Sequence, residues 1–540
     1  MLRVREIKLE YDIDSAANLR LKILKKLRLP KDCNLTYKIV KKSIDARKKP
    51  EVYYVYEVLC NLDKNLEENL LKVNNKDIVM GKEVKYEFRP QGIIPLKNPI
   101  IVVGSGPAGL FASLNLVRNG YPVIIIERGC EIEKRVVKVE KFWQTNHLNT
   151  ECNIQFGEGG AGTFSDGKLN TLVNDKEGRY QYVMETFTSL GADKEITYVN
   201  KPHIGTDVLR KVIINMRKSI ERLGGKFLFE TKLTDLNIKD GKLESIVLND
   251  KETVPCSALI LAIGHSARDT FYMLNDKGLT MQNKPFAVGM RIMHPQSLID
   301  KNQYGLLDDR LPAASYKLTF KASNGKGVYS FCMCPGGYVV NASSEDKRLC
   351  VNGMSYAKRD SGVANSALIV TVNESDYGNN LFDGVKFQRK LEEKAYNLGN
   401  GLIPMETYGD YKDNKEPKTI GKLEPKIKGQ YRIANLNELL PYNLNIALKE
   451  GIENFDRKIK GFADNEALLC GIEARTSSPI RIIRDENYES NIMGIYPSGE
   501  GAGYAGGITS AAIDGLKVSE AIMNKYKINK NNLRVNKKTK

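Results

Sequence analysis

Asn98-Pro-Ile-Ile-Val-Val-Gly-Ser-Gly-Pro-Ala-Gly-Leu-Phe-Ala-Ser-Leu-Asn-Leu-Val-Arg-Asn-Gly-Tyr-Pro-Val-Ile-Ile-Ile-Glu127 decides the fold. Ile100 to Val103 is a short, wholly apolar, β-branched run, the pattern of a parallel strand buried on both faces. Gly104-Ser105-Gly106-Pro107-Ala108-Gly109 follows without a gap, and Leu110, Leu114 and Val117 then fall on one helical stripe that Gly120 ends. Val123 to Ile126 is a second buried strand, closed by Glu127 and Arg128. Gly104 permits the tight turn, Gly106 keeps side-chain bulk away from a pyrophosphate, and Gly109 allows close helix–strand packing. The helix N-terminus offers N–H groups and a positive dipole end to phosphates. Glu127 is placed to accept hydrogen bonds from adenosine ribose hydroxyls, and its charge disfavours a 2′-phosphate. Strand, helix and acid together make this a dinucleotide-binding unit rather than a chance GxGxxG.

Working outward, residues 1–92 read as a small basic domain. Strands are expected over Leu2–Leu9, Leu35–Ile44, Val52–Leu59 and Val84–Phe88, with helices after Asp14 and over Leu66–Val73. The order βαββαβ predicts a ferredoxin-like α+β sandwich. Tyr54 and Tyr56 share a strand face near Lys41, Lys42, Arg47, Lys48 and Lys49, but the Gly-aromatic pattern of an RNA-recognition strand is missing. Docking onto the dinucleotide-binding domain is the expected role.

After Glu127 a helix is expected through Trp143, followed by a Gly-rich stretch from Ile154 to Leu169. Gly157, Gly159 and Gly162 match the dinucleotide spacing formally, yet no buried strand precedes them. With Gly160 and Ser165, this stretch offers backbone N–H groups and little bulk to a planar cofactor or a phosphate. A β-meander is expected over Phe227–Lys239, Leu243–Leu248 and Glu252–Cys256, and a buried strand over Ala258–Ile263 that ends in Gly264-His265. Residues 285–464 form a mixed α+β segment, with a helix from Pro441 stopped by Gly451. Residues 465–524 return to the buried pattern: a strand at Ile492–Tyr496, a turn carrying Gly499, Glu500, Gly503 and Gly506, and a helix from Ile508. Residues 525–540 contain no acid and read as a disordered basic tail.

The fold class that follows is α/β: a Rossmann-like domain in two parts, 96–284 and 465–524, an inserted substrate or cap domain over 285–464, and the N-terminal α+β domain. At 540 residues and 41% hydrophobic composition the chain supports several cores. It has no run of about 18 apolar residues, so no membrane span is expected. Its nine cysteines show neither disulfide nor zinc spacing, which points to a reducing cytoplasm and no metal site. The net charge of +17 reads as a Lys-rich solvated surface, with affinity for nucleic acid as the weaker alternative.

The order of these motifs resembles two-domain flavoproteins of the glutathione-reductase and p-hydroxybenzoate-hydroxylase type. More narrowly, the chain resembles the uncharacterised bacterial FAD-dependent dehydrogenases that carry a small extra N-terminal domain. The strings that carry the resemblance are Gly157-Glu-Gly-Gly-Ala-Gly-Thr-Phe-Ser-Asp-Gly-Lys168, Ala262-Ile-Gly-His-Ser-Ala-Arg-Asp-Thr270, Phe331-Cys-Met-Cys-Pro-Gly-Gly337, Arg475-Thr-Ser-Ser-Pro479 and Tyr496-Pro-Ser-Gly-Glu-Gly-Ala-Gly-Tyr-Ala-Gly-Gly507. The resemblance implies noncovalent FAD, with Glu500 where related proteins usually present an Asp to the ribityl chain. It implies no particular substrate.

Four residues are candidates for chemistry. His265 follows the Gly264 turn and suits a proton relay. Arg291 and His294 lie on opposite phases of one strand, so at most one faces a given cavity. Arg475 suits either a substrate carboxylate clamp or an interdomain ion pair. Cys332 and Cys334 are expected on one strand face, where a bridge between them would be strained. The absence of CxxC argues against disulfide-reductase activity. The expected function is an FAD-dependent oxidoreductase acting on a small molecule, with NAD(P)H at most a transient donor because no second nicotinamide unit is present. An RNA-directed flavoprotein and a noncatalytic flavin scaffold or redox sensor are the alternatives. The sequence does not set the oligomeric state.

Overall fold

The structure, a computed structural model, describes residues 1–73 and 75–528. Its centre is a five-stranded parallel sheet in the order Ile495–Pro497, Ala258–Leu261, Ile100–Val103, Val123–Ile126 and Lys226–Leu228. The three strands of the sheet's interior are almost wholly buried, because helices and a meander cover both faces. The helices Pro107–Arg118, Thr206–Arg222 and Ile508–Lys525 pack one face, and the antiparallel meander Leu233–Lys239, Lys242–Leu248 and Glu252–Pro255 packs the other. The stretch expected as one strand from Phe227 to Lys239 is therefore two. Lys226–Leu228 joins the parallel sheet, and the chain turns before Leu233 enters the meander.

A seven-stranded sheet forms the second core, in the order Thr319–Lys321, Gly327–Cys334, Val363–Val372, Phe286–Pro295, Leu468–Glu473, Ile403–Thr407 and Tyr431–Ile433. Leu468–Glu473 lies inside this sheet, so the return to the parallel sheet falls after Glu473 and not at residue 465. The helix Tyr442–Asp456 runs through Gly451, which does not stop it. A Cβ at Gly451 would stand 2.5 Å from Val328 Cγ1, so this glycine serves close helix–sheet packing.

The N-terminal unit has strands Leu2–Glu10, Thr36–Asp45, Tyr53–Asn61 and Ile78–Met80 with helices Ala16–Leu27 and Lys64–Lys72. Counted in chain order, its strands lie 2-3-1-4, and every pairing is antiparallel, which is the ferredoxin-like arrangement. The fourth strand is Ile78–Met80; Val84–Phe88 is irregular and Tyr86 instead donates to Glu520 on the last helix. The unit docks on both neighbours. Lys42 donates its N–H to Tyr198 O and accepts from Asn200 N–H, each at 2.8 Å. Tyr11 Oη donates to Asp308 at 2.8 Å. Tyr56 is buried against Asp14, and Tyr54 lies under the Lys42 ammonium. At the other end, Tyr526–Lys527 pairs in parallel with Ile94–Pro95, so the last helix leads into an ordered strand. The rest of the predicted basic tail, 529–540, lies outside the described residues. Among the described residues no helix is long and apolar enough to cross a membrane.

Candidate functional site

The parallel strands converge on a set of turns at their C-terminal ends, where ligands bind in open α/β sheets. Gly104 has φ +99°, and a Cβ there would stand 2.2 Å from Ala262 O. A Cβ on Gly109 would stand 2.0 Å from Gly104 O. Both positions therefore demand glycine. At Gly106, by contrast, the nearest neighbour of a built Cβ is Gly160 Cα at 3.9 Å. Gly106 caps the helix with no side-chain bond, and Pro107 opens it, so the N–H groups around Ala108 are not taken by a cap.

Glu127 ends the second strand, buried to 5% exposure. Its Oε2 accepts from Ser105 N–H at 3.0 Å and Ser105 Oγ at 2.8 Å; its Oε1 accepts from Gly129 N–H at 3.0 Å and Gly157 N–H at 2.9 Å. The carboxylate thus clamps the dinucleotide turn to the second Gly-rich stretch. Arg128 pairs with Glu151 and Asp269 and stacks on Phe156 at 4.1 Å.

The second Gly-rich stretch forms a turn and a 3-10 helix, Ala161–Phe164. Gly159 and Gly160 have positive φ, and Gly159 N–H donates to Ser105 O at 2.9 Å. Ser165 Oγ donates to Gly162 O at 2.7 Å and accepts from Gly167 N–H. Arg135, wholly buried, holds this stretch from behind by donating to the carbonyls of Asn153, Ile154, Gly157, Glu158 and Gly160. Sequence reasoning missed Arg135, though a signal was present: it shares the helical stripe of Ile132, Val139 and Phe142, an apolar face on which a charge needs partners.

The third part comes from the C-terminal end. Gly499 N–H donates to Asp514 at 2.7 Å, and Arg484 pairs with the same carboxylate. Gly503 has φ +85°. Gly506 N–H donates to Ser510 Oγ, and the helix from Ile508 starts without a side-chain cap at Gly507. Ile508 packs on Gly162, while Thr509 donates to Leu169 O at 2.8 Å, which joins the two Gly-rich segments. Gly501 sits so close to Gly264 that a Cβ would stand 2.4 Å from its carbonyl oxygen. That contact brings His265 to Glu500, with Nδ1 and Oε1 2.8 Å apart, and leaves His265 Nε2 buried with no partner.

Two family profiles cover most of this architecture. The one described as "Glucose inhibited division protein A" matches residues 99–283, and "FAD-dependent protein, C-terminal domain-like" matches 285–476. A domain of unknown function matches residues 1–61. An "Uncharacterized protein" from Clostridium beijerinckii is 47% identical over 538 residues, spanning 98% of this chain and 100% of the relative. The chain belongs to this FAD-dependent family. Similar solved structures include L-proline dehydrogenase from P. horikoshii, 13% identical with TM-score 0.34 over 79% of this chain and 94% of that one. Another is L-amino acid deaminase from Proteus vulgaris, 10% identical with TM-score 0.34 over 82% and 93%. Likeness at that level does not assign an activity.

The flavoprotein's residues fit FAD. Built Cβ atoms at Gly264, Gly506 and Gly507 meet nothing within 4 Å, and Gly106 borders open space beside an uncapped helix end. Glycines thus border open space at two helix N-termini and at the end of strand Ala258–Leu261, as an extended dinucleotide requires.

Three of the four catalytic candidates are engaged elsewhere. Arg291, wholly buried, donates to Glu473 at 2.7 Å and to Asn365, Asn352 and Cys332 O. His294 Nε2 meets Phe462 O at 2.8 Å, and burial lowers its pKa to about 4. Arg475 makes a two-point pair with Glu392, Nε–Oε1 and Nη2–Oε2 both 2.8 Å, and also donates to Ser266 and Ser344. Arg268 shares Glu392, so Arg475 belongs to a buried ion-pair network between the two cores, the ion-pair alternative raised above. Among the four candidates, His265 lies at the turns and has an unpartnered ring nitrogen there; His294 Nδ1 also lacks a partner, but it is buried on the strand Phe286–Pro295 of the seven-stranded sheet.

A cluster not singled out by the sequence lies where the cap sheet meets the second Gly-rich stretch. Lys168 Nζ pairs with Asp166 at 3.1 Å and donates to Met333 O; Asp166 in turn pairs with Arg359. Burial opposes the Lys168 charge, but Asp166 and the nearby thiols Cys334 and Cys332 outweigh it and raise its pKa. His203 bridges to Lys168 across a short β-bridge, and burial lowers its pKa to about 4. Cys332 is exposed and Cys334 buried, because a bulge between Phe331 and Cys334 breaks the alternation, with Cys332 at φ +42°. The two thiols therefore do not share one strand face as expected.

Proposed function

We propose that this flavoprotein is a dehydrogenase or reductase that acts on a small anionic molecule, with His265 as its proton-handling residue. FAD, when bound, supplies two-electron redox chemistry. The observation that carries the reading is His265: Glu500 fixes Nδ1, Nε2 is buried and unpartnered, and the preceding residue, Gly264, borders open space. With the proton on Nδ1 donated to Glu500, Nε2 is an acceptor held in one orientation, suited to take a proton from a reacting group.

The Lys168 ammonium supports an anionic substrate. Asp166 and Met333 O use two of its three protons, and about a third of the side chain is exposed (31%). A substrate carboxylate is the simplest partner for the third. The helix dipole at Ile508 adds positive potential on the same side. Among the described residues no second dinucleotide unit is present, so NAD(P)H, if used, is a transient donor in the cap-side cleft. The RNA-directed alternative draws no support from Tyr54 and Tyr56, which lie against Lys42 and Asp14 at a docking edge. Turnover with any donor–acceptor pair excludes the scaffold alternative.

The test is anaerobic reduction of the purified holoprotein by a panel of amino and hydroxy acids, followed by His265→Asn with the best reductant. Expected is a loss of about 10²–10⁴-fold in turnover, with flavin absorbance retained. A His265→Asn enzyme with the wild-type rate removes His265 from the chemistry.

A further inference from the structure

Cys130 and Cys152, read from the sequence as unpaired, meet in the fold. Their Cα atoms are 6.1 Å apart across 22 residues, and their sulfur atoms are in bonding contact. That separation lies within the range of unforced disulfides. Cys130 N–H also donates to Cys152 Sγ at 3.4 Å, and both residues are buried.

We propose that Cys130 and Cys152 form a reversible disulfide that latches the adenosine end of the FAD site. The proposal rests on assigning that end to the turns around Glu127. Each cysteine lies among contacts that build those turns. Gly129, next to Cys130, donates to the same Glu127 oxygen as Gly157. Cys130 O accepts from Glu158 N–H at 3.1 Å. Glu151, next to Cys152, pairs with Arg128. A bond between the two sulfurs therefore ties the turn after the second strand to the segment that leads into the Gly-rich stretch, across the point where Glu127 joins them.

Topology separates this pair from the flavin-ring end. Cys130 follows the strand Val123–Ile126, on one side of the central strand Ile100–Val103. His265 and Glu500 follow strands Ala258–Leu261 and Ile495–Pro497 on the other side. The pair is thus a latch and not an electron relay to the flavin.

A cavity of about 290 Å³ gives access, lined by Arg128, Lys138, Glu151, Cys152, Glu230 and Lys232. Its charged walls suit a hydrophilic low-molecular-weight disulfide such as oxidised glutathione. The exchange balances: one small disulfide and the two protein thiols give the protein disulfide and two small thiols. Reduction by excess small thiol or by a phosphine reverses it.

The test uses the holoprotein. After incubation with oxidised glutathione and blocking of free thiols, peptide mapping without reductant is expected to find residues 130 and 152 in one linked peptide. FAD release is then followed by fluorescence before and after reduction with a water-soluble phosphine. Release is expected to accelerate several-fold on reduction, to slow again on reoxidation, and to be redox-independent in Cys130→Ser/Cys152→Ser. Reversal in the unmutated protein keeps the test informative if the double variant folds poorly. Alkylation of both thiols after the glutathione treatment overturns the proposal, as do equal release rates in linked and reduced protein. Protein that binds no FAD at all contradicts the cofactor assignment instead, and the peptide map still reports on the disulfide.

Discussion

Glu127 and Gly157, 30 residues apart in the chain, are joined by a 2.9 Å hydrogen bond from the glycine N–H to the buried carboxylate. With Ser105 and Gly129 this gives the carboxylate four protein contacts, enough to fill its lone-pair sites. A ribose hydroxyl reaching Glu127 must displace one of them, and the Ser105 hydroxyl is the most readily rotated.

Glu127→Ala is therefore expected to do more than weaken FAD. It strands the N–H groups of Ser105, Gly129 and Gly157, which costs about 2–4 kcal/mol. Thermal unfolding of the apoprotein checks this: an unchanged midpoint would mean that the acid serves the ribose alone.

Gly106→Glu and Gly109→Ala should fail in different ways. The space at Gly106 admits a side chain, so that variant folds but loses flavin, because a carboxylate enters the phosphate position. Gly109→Ala drives a methyl group to about 2.0 Å from Gly104 O and should destabilise the fold by about 2–4 kcal/mol even without flavin. Flavin absorbance and melting midpoint, measured on both, separate the two effects; a yellow Gly106→Glu protein contradicts the site.

Glu406 sets a pH dependence. Burial pushes its carboxyl up to about 8; Oε1 accepts from Leu436 N–H at 2.6 Å and Oε2 has no partner. In the unfolded chain a Glu titrates near about 4.3. The folded state thus holds the proton longer, and the associated stability is complete below about pH 4 and is lost as pH rises through about 8. Glu406→Gln keeps the acceptor and removes the titration. It should raise stability at pH 8 by on the order of 1–3 kcal/mol and flatten the slope between about pH 5 and 8. An unaltered slope across that window argues against a protonated Glu406.

Nicotinamide reduction should be weak and indifferent to the 2′-phosphate. Among the described residues one five-stranded parallel sheet is present, and its dinucleotide turn is the one we assign to FAD. Anaerobic bleaching with each nucleotide measures this. Rapid reduction by one of them at micromolar concentration, with the other inert, would require a nicotinamide site that this fold does not display.

By itself the sequence determined the elements whose information is local. Ile100–Val103, the turn to Gly109, the helix to Arg118 and Val123–Ile126 each carry their own pattern of β-branched runs, glycines and helical spacing. The βαββαβ order of the first domain was legible for the same reason, apart from its last strand: Val84–Phe88 alternates like a strand but finds no sheet edge. The tertiary structure alone decided which polar side chains are free. Arg291, His294 and Arg475 look alike in sequence to His265, but partners 41 to 209 residues away engage both arginines and His294 Nε2. It also decided the bulge that parts Cys332 from Cys334 and the contact that joins Cys130 to Cys152. The physical reason is the same in each case: burial makes an unpaired polar group costly, and whether a partner is present depends on strand order and register, which local periodicity does not encode.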